Sequence, residues 1–235
     1  MNKWIAKWFK IYLKSYINLI LYHRNVYPAN TFTSTTFQAF NLPQFVPINR
    51  NPSLQSYIEE LIDDLLSKLS HIYRINICIN DAVTNLCLEK YVLDFSEFKH
   101  VENDSMPAEG EVFDEFRSSL NSLISKLEKL RQIKDGSVVF EIVINAIELE
   151  LGHSTTSFTT DKKEMMAFDR ENNWTKCQED ENLPKEDYEA GNFQPKIKMT
   201  SLVGCDIGPF IVHNFYETLI SGNAILSSIY MDNDE

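Results

Sequence analysis

Residues able to carry chemistry are thinly spread along this 235-residue chain. Its five histidines stand apart, with no H-x-x-x-H pair that could hold a metal from one helix face. His213 lies in a strand-like stretch and reads as a core or edge residue. Four cysteines, Cys78, Cys87, Cys177 and Cys205, form no C-x-x-C pair. Neither a disulfide framework nor a zinc site follows, and a reducing compartment is the simpler expectation. Cys177 sits among acids, which raise a thiol pKa and make a poor nucleophile. None of the seven glycines builds a phosphate loop, a dinucleotide fingerprint or a nucleophile elbow. The Gly204-Cys205-Asp206-Ile207-Gly208 stretch reads as a turn between strands. The paired carboxylates Glu59-Glu60 and Asp63-Asp64 read as the solvated face of an amphipathic helix. The expectation is a protein that is not an enzyme, with no catalytic, cofactor-binding or metal-binding set.

Two features ask for more than core packing. Trp174 stands in the polar stretch NNWTKC, where a large aromatic either anchors its own loop or grips a partner. The second is the segment 152–195, long, polar and acidic, lying between strand-like stretches. A loop of that length in a domain is uncommon and tends to be functional or disordered. A segment that leaves a sheet edge and rejoins it suits the capture of an extended peptide by strand addition.

The flanking elements follow from periodicity. Residues 3–24 read as a helix ended by Pro28, with Lys3, Lys7, Lys10 and Lys14 on one face. Its apolar runs are too short for a membrane span, so a buried helix is expected rather than an anchor. Residues 28–52, rich in proline and aromatics, read as an ordered connector. Asn51-Pro52 then opens a second helix with Asn as cap and Pro in the first turn. Its stripe is Leu54, Tyr57, Ile58, Leu61, Ile62, Leu65, Leu66 and Leu69. Strands are expected at 73–79, 86–95 and 137–149, with a third helix at about 111–130. Two further strands are expected at 196–203 and 209–217. The closing MDNDE reads as a frayed tail. Three helices with a mostly antiparallel sheet make an α+β fold.

The net charge is −12, yet residues 1–58 hold six cations and no acid. Only that first quarter could neutralise DNA phosphates, and the acidic remainder argues against direct, specific DNA binding.

Seven collinear blocks, among them INLILYHRNVYP (17–28), NLPQFVPINRNPSLQSYIEELI (41–62), FEIVINAIELELGH (140–153) and NNWTKCQEDENLP (172–184), resemble the HORMA-domain accessory subunits of DNA polymerase zeta in their fungal form. The resemblance implies one HORMA domain over 1–235, with a core at 1–151, a mobile safety belt at 152–217 and a tail at 218–235. It implies a nuclear, non-catalytic adaptor in translesion synthesis. Its belt would close over a proline-containing peptide of the polymerase's catalytic subunit. The peptide-gripping residues of such proteins match Tyr57 and Trp174, with Tyr27 lining the same groove. A second surface, around Ile197 and Phe215, would meet the deoxycytidyl transferase scaffold. A second copy of the chain is a further possible partner. Asn121 stands where vertebrate members carry a pairing arginine, so that contact does not transfer. An alternative within the same fold is a checkpoint or meiotic adaptor with another client peptide.

Overall fold

The computed structural model describes residues 3–35, 46–69, 71–98, 107–146, 174, 196–208, 210–220 and 229–231. Helix α1 (Lys3–His23) is apolar over most of its circumference. Ile5, Phe9, Tyr12, Leu13, Tyr16, Ile17, Leu19, Ile20 and Leu21 are all buried. A helix with so wide an apolar surface belongs inside a fold, and α1 packs against both α2 (Pro52–Ser67) and α3 (Glu109–Leu127). The start of α2 is capped as its sequence predicts: the Asn51 side chain accepts from the Ser53 N–H, and Pro52 fills the first turn. Between α1 and α2, β1 (Phe32–Thr35) and β2 (Val46–Asn49) pair antiparallel, so the connector carries a small sheet. Asn18 of α1 accepts from the Asn49 N–H at 3.1 Å and ties that sheet to the helix.

The main sheet has the order β5-β3-β4-β7-β6. Its strands are β3 (Ile72–Asp81), β4 (Cys87–Phe98), β5 (Val138–Ala146), β6 (Ile197–Asp206) and β7 (Phe210–Leu219). The β3–β4, β4–β7 and β6–β7 pairings are antiparallel. One row runs Ile77, Tyr91, Tyr216, Thr200 across four strands. Phe9 of α1 meets Phe95 of β4 edge to face at 5.8 Å and stacks with Phe116 of α3 at 5.9 Å. These rings join the helix layer to the sheet.

Two buried polar groupings fix this packing. The Tyr12 hydroxyl lies 3.0 Å from the Ser119 hydroxyl, and the Tyr16 hydroxyl donates to Asn214 Oδ1 at 2.8 Å. Asn214 in turn donates to Ser119 at 3.3 Å, so α1, α3 and β7 share one network. Arg24, just beyond α1, donates twice to Glu89 of β4, at 2.8 and 2.7 Å, with both side chains almost wholly buried. Tyr91 and Tyr230 each add a hydroxyl to the same carboxylate at 2.9 Å. Satisfied in this way, a buried ion pair holds two distant elements in one geometry. At the last strand, the Val203 and Asp206 N–H groups leave the sheet. They donate to Ser122 and Glu115 of α3, each at 3.1 Å.

Two expectations are corrected. The Glu59/Asp63 face of α2 is not simply solvated. Glu59 pairs with Lys10 and Lys14, Asp63 with Lys10, and Asp64 with Lys68, so carboxylates of α2 clamp onto α1. The Gly204–Gly208 stretch is not a turn throughout, because β6 continues to Asp206 and only Ile207-Gly208 reverses the chain. A Cβ on Gly204 would fall 2.2 Å from the Val212 carbonyl oxygen, so the glycine permits a close approach of two strands. Of the closing MDNDE only Met231 is among the described residues; its N–H donates to the Gln132 carbonyl at 2.9 Å, and Ile229 and Tyr230 before it are buried. Residues 232–235 lie outside the described residues.

The chain divides into two units, Met1–Asn145 with Pro195–Glu235, and Ala146–Gln194. The second unit coincides with most of the polar excursion. Of the excursion at 152–195, Trp174 alone is among the described residues, and Cys177 and the Met165–Phe168 cluster are not.

Candidate peptide-binding site

Strand β5 ends the sheet on one side, with β3 as its neighbour. A terminal strand offers unpaired backbone groups to an incoming chain. Asn76 of β3 donates to the Val143 carbonyl and to Asn145 Oδ1, at 3.1 and 2.8 Å, which fixes β5 against β3. Phe140 shares the strand parity of the buried Val138, which lies in the core.

Two expected site residues converge on Phe140. Tyr57, near the start of α2, meets its ring at 6.1 Å and 74°. Tyr27, beyond the end of α1, meets it at 6.2 Å and 67°. Both are edge-to-face contacts, the preferred geometry for aromatic pairs. Tyr57 is nevertheless 46% exposed, so it flanks the buried stripe of α2 rather than joining it. The stripe consists of Leu54, Ile58, Ile62 and Leu65. Partial burial raises both phenol pKa values, and the nearby Tyr27 raises that of Tyr57 further. Both hydroxyls therefore stay protonated at neutral pH and can donate.

Tyr27 is aimed by a sharp break after α1. Asn25 adopts a left-handed φ of 53°, which asparagine tolerates because its short side chain bonds locally. Its amide donates to the Ile133 carbonyl at 3.0 Å and to Asp135. Sequence reasoning missed Phe140, Asn25 and Tyr230. Each depends on contacts across more than a hundred residues or on a terminus whose polar composition suggested disorder.

Trp174 is half-buried and belongs to the second unit. Ile197 and Phe215 lie on one face of the β6–β7 pair. Ser201, in step with Ile197, is the register partner of Phe215. Ile197 is 60% exposed, and Met199 between these rows is similarly open. Asn121 of α3 is half-buried.

The chemistry available is recognition. Burial pushes the Cys205 thiol up to about 12, which leaves it unreactive at neutral pH. Among the described residues no cluster of three or more potential metal ligands occurs. No helix among them is long and apolar enough to cross a membrane.

Residues 6–148 match the model of the HORMA domain. The chain belongs to the HORMA-domain family. The DNA polymerase zeta processivity subunit of Saccharomyces cerevisiae is 58% identical over 240 residues, covering all of this chain and 96% of that one. Solved HORMA structures share the fold at low identity. A chain of the mitotic checkpoint complex matches with a TM-score of 0.64 at 14% identity, over 92% of this chain and 98% of that one. HTP-2 of C. elegans bound to the HIM-3 closure motif matches with a TM-score of 0.59 at 10% identity, over 91% and 89%. HTP-1 of C. elegans bound to HTP-3 motif-1 matches with a TM-score of 0.58 at 11% identity, over 92% and 91%. The α+β fold expected from periodicity is thus the HORMA fold.

Proposed function

We propose that this chain is the non-catalytic accessory subunit of a DNA polymerase zeta, capturing an extended segment of the catalytic subunit on its β5 side. One observation carries the reading: an aromatic platform of Tyr27, Phe140 and Tyr57 stands beside a terminal strand. Backbone hydrogen bonds along a strand supply generic affinity, and side-chain pockets beside it supply sequence choice. The rigid, apolar faces of the rings suit proline, which has little conformational entropy left to lose. The 58% identical relative names the complex, and the bound closure motifs of the HTP structures supply the precedent for peptide capture.

Trp174 completes the grip in this proposal, and the belt comprises about 152–217. In this proposal β6 and β7, paired beside β4 on the side away from β5, belong to the closed arrangement. A peptide beneath a closed belt leaves only when the belt opens, so its release is slow. The exposed face bearing Ile197 and Phe215 is proposed to meet the deoxycytidyl transferase scaffold. A second copy of the chain joins the complex through a contact other than the vertebrate arginine pair. The working compartment is the nucleus, where damage bypass takes place.

The test is co-purification with the catalytic subunit, followed by an array of overlapping peptides tiled across it. One proline-containing peptide should be protected. Tyr57→Ala and Trp174→Ala should each weaken its capture while thermal unfolding remains cooperative. Normal binding by both variants would refute the assignment of the grip, and outright unfolding of both would make them core residues.

A further inference from the structure

We propose that the C-terminal segment Ile229–Met231 is a latch that sets how long the peptide groove holds its ligand; this rests on the groove reading above. The segment is docked at four points. The Tyr230 hydroxyl donates to the buried Glu89 carboxylate at 2.9 Å. The Ile229 carbonyl accepts from the Lys134 N–H, and the Met231 N–H donates to the Gln132 carbonyl, both at 2.9 Å. Arg131 donates to the Met231 carbonyl at 3.1 Å, with its guanidinium 5.6 Å above the Tyr230 ring. Three residues thus fix the loop 131–134, which leads from α3 into β5.

That loop and that carboxylate also hold the groove. The Glu89 carboxylate that receives Tyr230 also receives Arg24. The next residue, Asn25, donates to Ile133, which itself bridges to Tyr230. Two residues further on, the Tyr27 ring meets Phe140, and Phe140 stands just inside the strand launched by the loop. Both sides of the Tyr27–Phe140 contact are therefore anchored to groups that the latch completes. Undocking would take a donor from a buried carboxylate and free backbone groups in the loop, loosening both anchors together. The proposed effect on the ligand is one of positioning.

The experiment uses the full chain and the tightest peptide from the array described above. Peptide dissociation is followed for Tyr230→Phe, which removes one hydroxyl, and for Asn25→Gly, which keeps the left-handed turn but loses the tether. Hydrogen exchange is read at Lys134, Met231 and Val138–Ala146. The latch predicts roughly five- to tenfold faster dissociation in both variants, with faster exchange reaching into β5. Should Tyr230→Phe fail to fold, Asn25→Gly reads the same path. If Lys134 and Met231 lose protection while dissociation is unchanged, the segment only stabilises the fold and the latch is overturned. Tyr57→Ala run alongside separates the two readings. Weakened capture there with unchanged dissociation in the latch variants leaves the groove standing alone, whereas normal capture removes groove and latch together.

Discussion

Tyr57 and Phe140 meet edge to face with their ring centroids 6.1 Å apart, one from the second helix and one from the terminal strand. Tyr27 makes a matching edge-to-face contact with the same ring, so Phe140 is common to both tyrosine contacts. Replacing Phe140 with Leu keeps apolar volume but removes both aromatic contacts, each worth about 0.5–1.5 kcal/mol beyond buried area. Peptide affinity should fall roughly tenfold by calorimetry, and the melting temperature should drop by several degrees because both contacts lie within the domain. Unaltered affinity would show that the tyrosines hold their positions without it.

The buried Arg24–Glu89 pair predicts an asymmetry between single and double variants. Arg24→Met leaves a carboxylate in the core with two tyrosine donors and no cation, and should cost about 3–5 kcal/mol in urea unfolding. Arg24→Met combined with Glu89→Leu removes both charges and should cost less than Arg24→Met alone. A larger loss in the double variant would mean that the network contributes more than its ionic part.

The clamp between the first two helices gives a pH signature. The Lys14 hydrogen bond, more than the nearby charges, holds the Glu59 carboxyl below its ordinary value of 4.5. Its stabilising contribution is complete above that value and is lost as pH falls through the depressed one. Lys10 is raised above its ordinary 10.5, chiefly by its hydrogen bond to Asp63, so its share is complete below 10.5 and is lost as pH rises past the raised value. Glu59→Gln should therefore lower the melting temperature in the neutral region and flatten its fall on the acid side, where the wild-type contribution is already lost. A variant that tracked the wild-type profile through the acid range would rule out the clamp as its source.

Gly204 faces the Val212 carbonyl oxygen closely enough that an added methyl has no room. Gly204→Ala should push β6 off β7 and cost about 1–3 kcal/mol or more. Amide exchange should rise first in β6, because it is the terminal strand. Full retention of stability would mean that the two strands can separate locally without loss.

Two of the four N-terminal lysines, Lys10 and Lys14, are occupied by Glu59 and Asp63. With a net charge of −12, the isolated chain should not shift duplex DNA at physiological salt. Real phosphate contacts would reveal themselves as a salt slope of about −0.9 per phosphate neutralised. A steep slope in a mobility-shift titration would restore the DNA-binding reading.

The local elements could be read from the sequence because their causes are local. Asn51-Pro52 starts α2 by capping, and the alternation Tyr73, Ile75, Ile77, Ile79 makes β3. Tyr57 shows where periodicity stops helping. It falls in the apolar repeat of α2, yet it stays 46% exposed while Leu54, Ile58, Ile62 and Leu65 are buried. The family resemblance, not the spacing, singled it out. Phe140 gave no signal, because a strand's alternation marks which face a ring lies on and not which rings come to meet it. Tyr230 was hidden by the polar residues after it, although its hydroxyl ends on a carboxylate 141 positions earlier.

At the far side of the sheet, Ser122 and Glu115 occupy the N–H groups of Val203 and Asp206 near the end of the last strand. Terminal strands on both sides would let identical molecules add to one another without limit, as fibres do. Helix α3 blunts one side at that end, while on the other no described strand pairs with the outer edge of β5. The molecule is thereby biased toward a valency of one for strand addition. Any larger assembly built around it must be joined through side-chain surfaces, where geometry rather than backbone pairing decides the stoichiometry.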